Sequence, residues 1–154
     1  MKPNNYTQLY IQLVFAVKYR EAVLNRNIRT RVFEYLSGIL TDLKHKTIIV
    51  NGFANHVHVF YGMNPKVSVS NTIYELKRGS SLFINQNRLC LGNFSWQEGY
   101  GGFSYSRSDI HAVYNYIKNQ EIHHKKKSFR DEYLELLKSL DINYDIKYLF
   151  DFFD

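Results

Sequence analysis

An α+β fold is predicted for these 154 residues: a four-stranded antiparallel sheet with helices packed on it, followed by a C-terminal helical extension. Three observations predict it. β-Branched and aromatic runs with partial alternation stand at 6–18, 47–53, 56–62 and around 99–106. Apolar residues recurring at three- and four-residue spacing fall between the first and second runs, and a serine-capped helical stretch falls between the third and fourth. No repeat, low-complexity tract or Pro/Gly-rich linker divides the chain, so a single domain over 1–154 is expected. The order β-α-β-β-α-β is that of a ferredoxin-like sandwich.

The elements follow in order. "YTQLYIQLVFAVK" at 6–18 predicts the first strand. From Asn25 to about Lys44, the spacing of Ile28, Val32, Leu36, Ile39, Leu40 and Leu43 predicts an amphipathic helix. Strands 47–53 and 56–62 are separated by Ala54-Asn55, a hairpin-like connection. Ser68 to about Asn87 predicts a second helix, with Ser68 or Ser70 as its cap. A turn-rich stretch around "FSWQ" leads to the last strand in "GYGGFSYS". A third helix is predicted over about 108–124 with Ser108 as N-cap, and a fourth over roughly Ser128–Leu140. This extension, about 128–154, has no place in the basic sandwich, so it is expected to pack on the other sheet face or against a partner chain.

Composition narrows the function classes. No apolar stretch approaches the roughly 20 residues of a membrane span, and nothing at the N-terminus resembles a signal peptide. The single Cys90 excludes an intramolecular disulfide and a multi-cysteine zinc knuckle. A cytoplasmic, nucleoid-associated protein is expected. Residues 1–130 carry 18 Lys and Arg against 7 Asp and Glu, whereas residues 131–154 carry 2 against 7. So basic a body suggests a polyanionic partner, because phosphate contacts give sequence-independent affinity. The acidic tail either covers a basic surface or keeps the chain soluble.

The stretch "NGFANHVHVF" places His56 and His58 two apart on a strand. Residues i and i+2 share a strand face, so two imidazoles stand together while Val57 and Val59 face away. Such a pair is a two-point ligand set for a divalent metal, or else two buried histidines bonded to backbone groups. In the third helix Tyr116 and Gln120 are four residues apart, hence on one face with Cβ atoms about 6 Å apart. The glutamine oxygen is a hard ligand, and the tyrosine one turn away either lies beside the metal or packs in the core with Val113 and Ile117. A phenol can attack a phosphodiester if a metal polarises the phosphoryl oxygens.

With these pieces in place the sequence resembles the single-tyrosine HUH transposases of the smallest bacterial insertion sequences (HUH denotes His, hydrophobic, His). The resemblance is carried by "YTQLYIQLVFAVKYR", the core His56-Val57-His58, "ELKRGSS", "FSWQEGYGGFSYSRS" and "YIKNQEIHH", in the family's order and over nearly the whole chain. It implies that Tyr116 is the nucleophile and that His56, His58 and Gln120 hold Mg²⁺ or Mn²⁺. It further implies cleavage of single-stranded DNA at element ends through a 5′-phosphotyrosine, rejoining by a free 3′-OH, and an obligate homodimer whose subunits can share an active site. Two positions depart from the family pattern: Asn55 stands where Asp is frequent, and Gln12 where the first strand often has His.

Lys77 and Arg78 in the second helix, and Lys125, Lys126, Lys127 and Arg130, are the densest basic positions and the expected phosphate contacts of single-stranded or hairpin DNA. Some of the 13 Tyr and 11 Phe could stack on unpaired bases, though most are expected in the core. His124, one turn after Gln120, could approach a metal or phosphate; with His123 it is expected instead to cap the helix C-terminus. Two other readings stay open: a non-catalytic hairpin DNA- or RNA-binding protein of the same fold, and a metal hydrolase in which an activated water replaces Tyr116.

Overall fold

The computed structural model describes residues 5–19 and 23–152. Its elements are β1 (Tyr10–Ala16), α1 (Arg26–Asp42), β2 (Lys46–Gly52), β3 (His56–Gly62), α2 (Val69–Gln86), β4 (Gly101–Tyr105), α3 (Ile110–Lys118), α4 (Gln120–His123) and α5 (Phe129–Ser139). The strands form one antiparallel sheet in the order β2-β3-β1-β4, as a ferredoxin-like sandwich requires. The register sets Val14 opposite His58 and Ala16 opposite His56.

Alternation splits the sheet into two unlike faces. Leu13, Phe15 and Val17 of the first strand segment and Val57, Val59 and Tyr61 of β3 meet the inner sides of α1 and α2, including Val32, Leu36, Leu40 and Leu76. Burying each such aliphatic side chain contributes about 1.5–3 kcal/mol. The opposite face carries Gln12, Val14, Ala16, His56, His58 and Phe60 and is roofed by α3, α4, α5 and the tail. The extension therefore packs on the second face of its own sheet, making three layers. Val14, Ala16 and Phe103 meet Phe129, Tyr133, Leu137 and Phe150 there.

Two glycines permit the close approaches that set the site. At Gly52 a Cβ would lie 2.3 Å from the His56 carbonyl oxygen, so only glycine lets β2 turn tightly into the histidine strand. At Gly101 it would lie 2.6 Å from the Tyr133 hydroxyl, so β4 must be bare for α5 to settle on it.

Ser68 caps α2, its hydroxyl accepting from the Asn71 amide, and Ser128 caps α5 in the same way through Asp131. Ser108 does not cap α3. It lies inside a 3-10 turn, Arg107–Asp109, where the hydroxyls of Ser106 and Ser108 bond each other and that of Ser106 donates to Asp109. The continuous helix predicted over 108–124 is also broken at Asn119. There the Asn51 amide donates to the carbonyls of Ile117 and Lys118, ending α3 one residue before α4 begins.

Candidate active site and metal centre

The site is built around a residue that the sequence reading did not select. Glu132 lies on α5 and is 4% exposed. Its Oε1 is 3.2 Å from His56 Nε2, 3.4 Å from His58 Nε2 and 3.1 Å from His124 Nε2. Its Oε2 accepts from the Tyr116 hydroxyl in a very short hydrogen bond, and from Gln120 Nε2 at 2.8 Å. Thus Tyr116, Gln120, His56 and His58 all meet, within one chain, at a single buried carboxylate.

Each histidine is oriented from behind. His56 Nδ1 is 2.8 Å from Asn55 Oδ1, and His58 Nδ1 is 2.7 Å from Gln12 Oε1, whose own amide nitrogen donates to the Tyr105 hydroxyl. Asn55 and Gln12, the two departures from the family pattern, are therefore the groups that hold the imidazoles. His56 also stacks on Phe129 with ring centroids 3.9 Å apart.

The arrangement is short of protons. With the two Nδ1–H groups directed at Asn55 and Gln12, the lone pairs of both Nε2 atoms face inward. His56 Nε2 then meets Gln120 Oε1 at 2.9 Å as well as Glu132 Oε1. Burial pushes the His56 pKa down to about 4, so that ring is neutral at neutral pH. Burial works against the Glu132 carboxylate too, but the hydrogen bonds it accepts, from His124 first, outweigh this and hold it below the usual carboxylate range. Electron-rich atoms converging in this way need positive charge between them, a shared proton or a cation. The ligating atoms of His56, His58 and Glu132 lie within 4.8 Å of one another, and this buried group could bind a metal.

Tyr116 stands at the edge. Its ring stacks on His123 at 4.8 Å and meets His58 edge-on at 6.0 Å. Burial first, then the charge and hydrogen bond of Glu132, raise its hydroxyl far above the usual value, so it holds its proton. A cavity of about 400 Å³ opens beside it, lined by Tyr116, His123, His124, Lys126, Lys127 and Glu132 among others. His124 stands at the end of α4, but its ring turns inward, 3.2 Å from Gln120 Oε1 and 3.1 Å from Glu132 Oε1, instead of capping the helix carbonyls.

The basic residues part company. All four of Lys125, Lys126, Lys127 and Arg130 are exposed; Lys126 and Lys127 line this cavity, Lys127 is also paired to Glu135, and Arg130 stands at the start of α5. Lys77 is half-buried and its ammonium donates to the carbonyls of Gln97 and Gly99 at 2.8 and 2.6 Å. Arg78 is exposed, mid-way along α2 on the far side of the sheet. Trp96 is core, its indole donating to Ser80. Its neighbour Gln97 fastens the tail: Nε2 donates to the carbonyls of Val17 and Asp151, and Oε1 accepts from the Asp151 amide.

Glu132 had a sequence signal. It shares a helical stripe with Phe129, Tyr133 and Leu136, a carboxylate on an otherwise apolar face.

Known transposases share the family pattern or the fold of this chain. The family model described as "Transposase IS200 like" matches residues 5–120. A transposase-like protein of Deinococcus radiodurans R1 superposes with a TM-score of 0.58 at 21% identity, covering 78% of this chain and 96% of that one. A REP-associated tyrosine transposase bound to a REP hairpin superposes with a TM-score of 0.58 at 14% identity, covering 100% of this chain and 93% of that one. No curated protein matches the chain. Among the described residues no helix is long and apolar enough to cross a membrane.

Proposed function

Because the chain belongs to the IS200-like transposase family, we propose that it is a metal-dependent transposase that cuts and rejoins single-stranded DNA through a 5′-phosphotyrosine on Tyr116. One observation carries this reading: the Tyr116 hydroxyl and both imidazoles of the His56–His58 pair converge on the same buried carboxylate. His56 and His58, with the Gln120 amide oxygen beside them, are the residues that would hold Mg²⁺ or Mn²⁺. When bound, the cation supplies Lewis-acid polarisation of the scissile phosphoryl oxygens.

The chain's own residues do the rest. Asn55 and Gln12 fix the imidazoles so that both Nε2 atoms face inward. Tyr116 forms its bond to phosphorus as the bond from phosphorus to the 3′ oxygen breaks, and the phenol proton ends on the departing 3′-OH. In rejoining, a 3′-OH attacks the phosphotyrosine and the phenol recovers a proton, so no external energy source enters. Lys126 and Lys127, which line the cavity, would meet phosphates of the entering strand, with the exposed Lys125 and Arg130 extending that basic surface, whereas Arg78 would meet DNA only on the opposite side and Lys77 has little donor capacity left. The hairpin bound by the REP-associated relative supports a hairpin or single-stranded DNA end as the partner. In a homodimer, each subunit would carry a site of this kind.

The test is incubation with end-labelled single-stranded oligonucleotides from DNA flanking the gene, with Mg²⁺ or Mn²⁺, resolved on a denaturing protein gel. A labelled band at the protein's mass is expected, absent with chelator and absent in Tyr116→Phe. Salt-sensitive binding without an adduct would overturn the proposal in favour of a DNA-binding protein. Cleavage that survives in Tyr116→Phe would overturn it in favour of an activated water.

A further inference from the structure

We infer that Glu132 belongs to the active centre: through Oε1 it ligates the divalent cation together with His56 and His58, and through Oε2 it positions the Tyr116 hydroxyl. The inference rests on the reading of Tyr116 and the histidine pair given above. It adds a residue from the C-terminal extension, beyond the point at residue 120 where the family match ends.

Burial is the first reason. An ionised carboxylate removed from water is costly unless it is paired and hydrogen-bonded. Among the described residues the ion-pair partners of Glu132, within 3.4 Å, are three histidines, and the charge of Lys127 acts on it only from further off. Two of those rings have Nδ1 directed at a side-chain amide oxygen, so their protons point away from Glu132. A cation completes such a site where another carboxylate or an amide would not.

Distances are the second. Oε1 stands 3.2 and 3.4 Å from the two Nε2 atoms. Neighbouring ligands around an octahedral cation with bonds of about 2.1 Å are separated by about 3.0 Å, so a small inward or outward adjustment suffices.

The second oxygen supplies the function. Oε2 accepts from Tyr116 and from Gln120 Nε2 at once. That fixes the nucleophile beside the metal ligands. It also turns the Gln120 amide so that Oε1, not the nitrogen, faces His56. One carboxylate thereby ties together two residues of the broken α3–α4 helix and two of β3.

The fold holds this residue firmly. Ser128 caps α5 just before it, Phe129 stacks on His56, and Gln97 clamps Asp151 so that Phe150 and Phe152 press on Phe129. The clamp gives the "WQ" pair a place in the site without contact with it.

The experiment compares the full wild-type chain with Glu132→Gln, Glu132→Asp and His56→Ala, measuring Mn²⁺ binding by calorimetry, melting temperature with and without Mn²⁺, and adduct formation. Glu132→Gln keeps the shape and removes the charge, and is expected to weaken Mn²⁺ binding at least about tenfold. It should lose most of the Mn²⁺-induced rise in melting temperature while melting no lower than wild type in metal-free buffer. Glu132→Asp should recover part of the affinity. A purely structural carboxylate would give the reverse: lower metal-free melting in Glu132→Gln, with Mn²⁺ affinity and the Mn²⁺-induced shift unchanged. That result would overturn the inference. If wild type binds Mn²⁺ through Glu132 but forms no DNA adduct, the inference stands and the transposase reading falls. If Glu132→Gln binds Mn²⁺ and forms the adduct as wild type does, the transposase reading stands and the inference falls.

Discussion

The two faces of the central sheet are equally buried and do different work. Under α1 and α2, Leu13, Phe15, Val17, Val57, Val59 and Tyr61 are at most 1% exposed; on the opposite face so are Gln12, Val14, Ala16, His56, His58 and Phe60. Burial therefore does not distinguish the stabilising face from the chemical one. Hydrogen-bond demand does. The first face is almost wholly hydrocarbon, whereas polar groups on the second answer one another: Asn55 is matched to His56, Gln12 to His58 and Tyr105, and Glu132 to His124, Gln120 and Tyr116. A strand puts the two kinds of residue one position apart, so β1 and β3 serve both faces without mixing them.

The largest break in that comparison comes from the hydrocarbon face. Phe15 is fully buried, with the Trp96 ring edge-on at 4.7 Å. Phe15→Ala is expected to cost about 3–5 kcal/mol in urea unfolding. Where the variant is still folded, Mn²⁺ affinity should be that of wild type, because no atom of Phe15 reaches the other face. A variant that lost affinity in parallel with stability would show that the faces are coupled through the strands.

A smaller effect sharpens the chemical face. Asn55 Oδ1 holds His56 Nδ1, and a carboxylate in that place would accept the same hydrogen bond more strongly and make the inward-facing Nε2 a better ligand. Asn55→Asp is expected to raise Mn²⁺ affinity about tenfold, on the scale of such outer-shell effects, with little change in the urea midpoint. Unchanged affinity would show that the neutral amide already orients the ring as well as a carboxylate can.

What was legible in the sequence follows the same division. Period-2 and period-3.6 patterns expose hydrocarbon faces, so the strands, α1, α2 and α5 were legible to within a few residues. His56 and His58 were legible because strand geometry alone pairs them. Tyr116 and Gln120 needed the helix spacing, and their meeting survives a helix break that the spacing did not show. The break was hidden because its cause, Asn51, lies 66 residues from Ile117 in the chain. Lys77 read as a free cation because the carbonyls that hold it, at Gln97 and Gly99, belong to a loop with no helical or strand period. Glu132 was absorbed into the acid-rich segment 131–154, where net charge masked its position among Phe129, Tyr133 and Leu136.

The smallest expected effect lies outside both faces and calibrates the other two. Arg26 reaches Glu121 at 2.7 Å, joining α1 to α4 next to the site, with Arg29 at 3.5 Å from the same oxygen. The two side chains are 78% and 46% exposed, so water and salt screen the pair and its worth should be below about 1 kcal/mol. A double-mutant cycle with Arg26→Ala and Glu121→Ala should return a coupling in that range that shrinks further in high salt. Adduct formation should be unchanged, since Asn51 holds the end of α3 independently. A coupling of several kcal/mol, or loss of the adduct in Arg26→Ala, would mean that this exposed pair, and not the buried carboxylate, sets the position of Gln120.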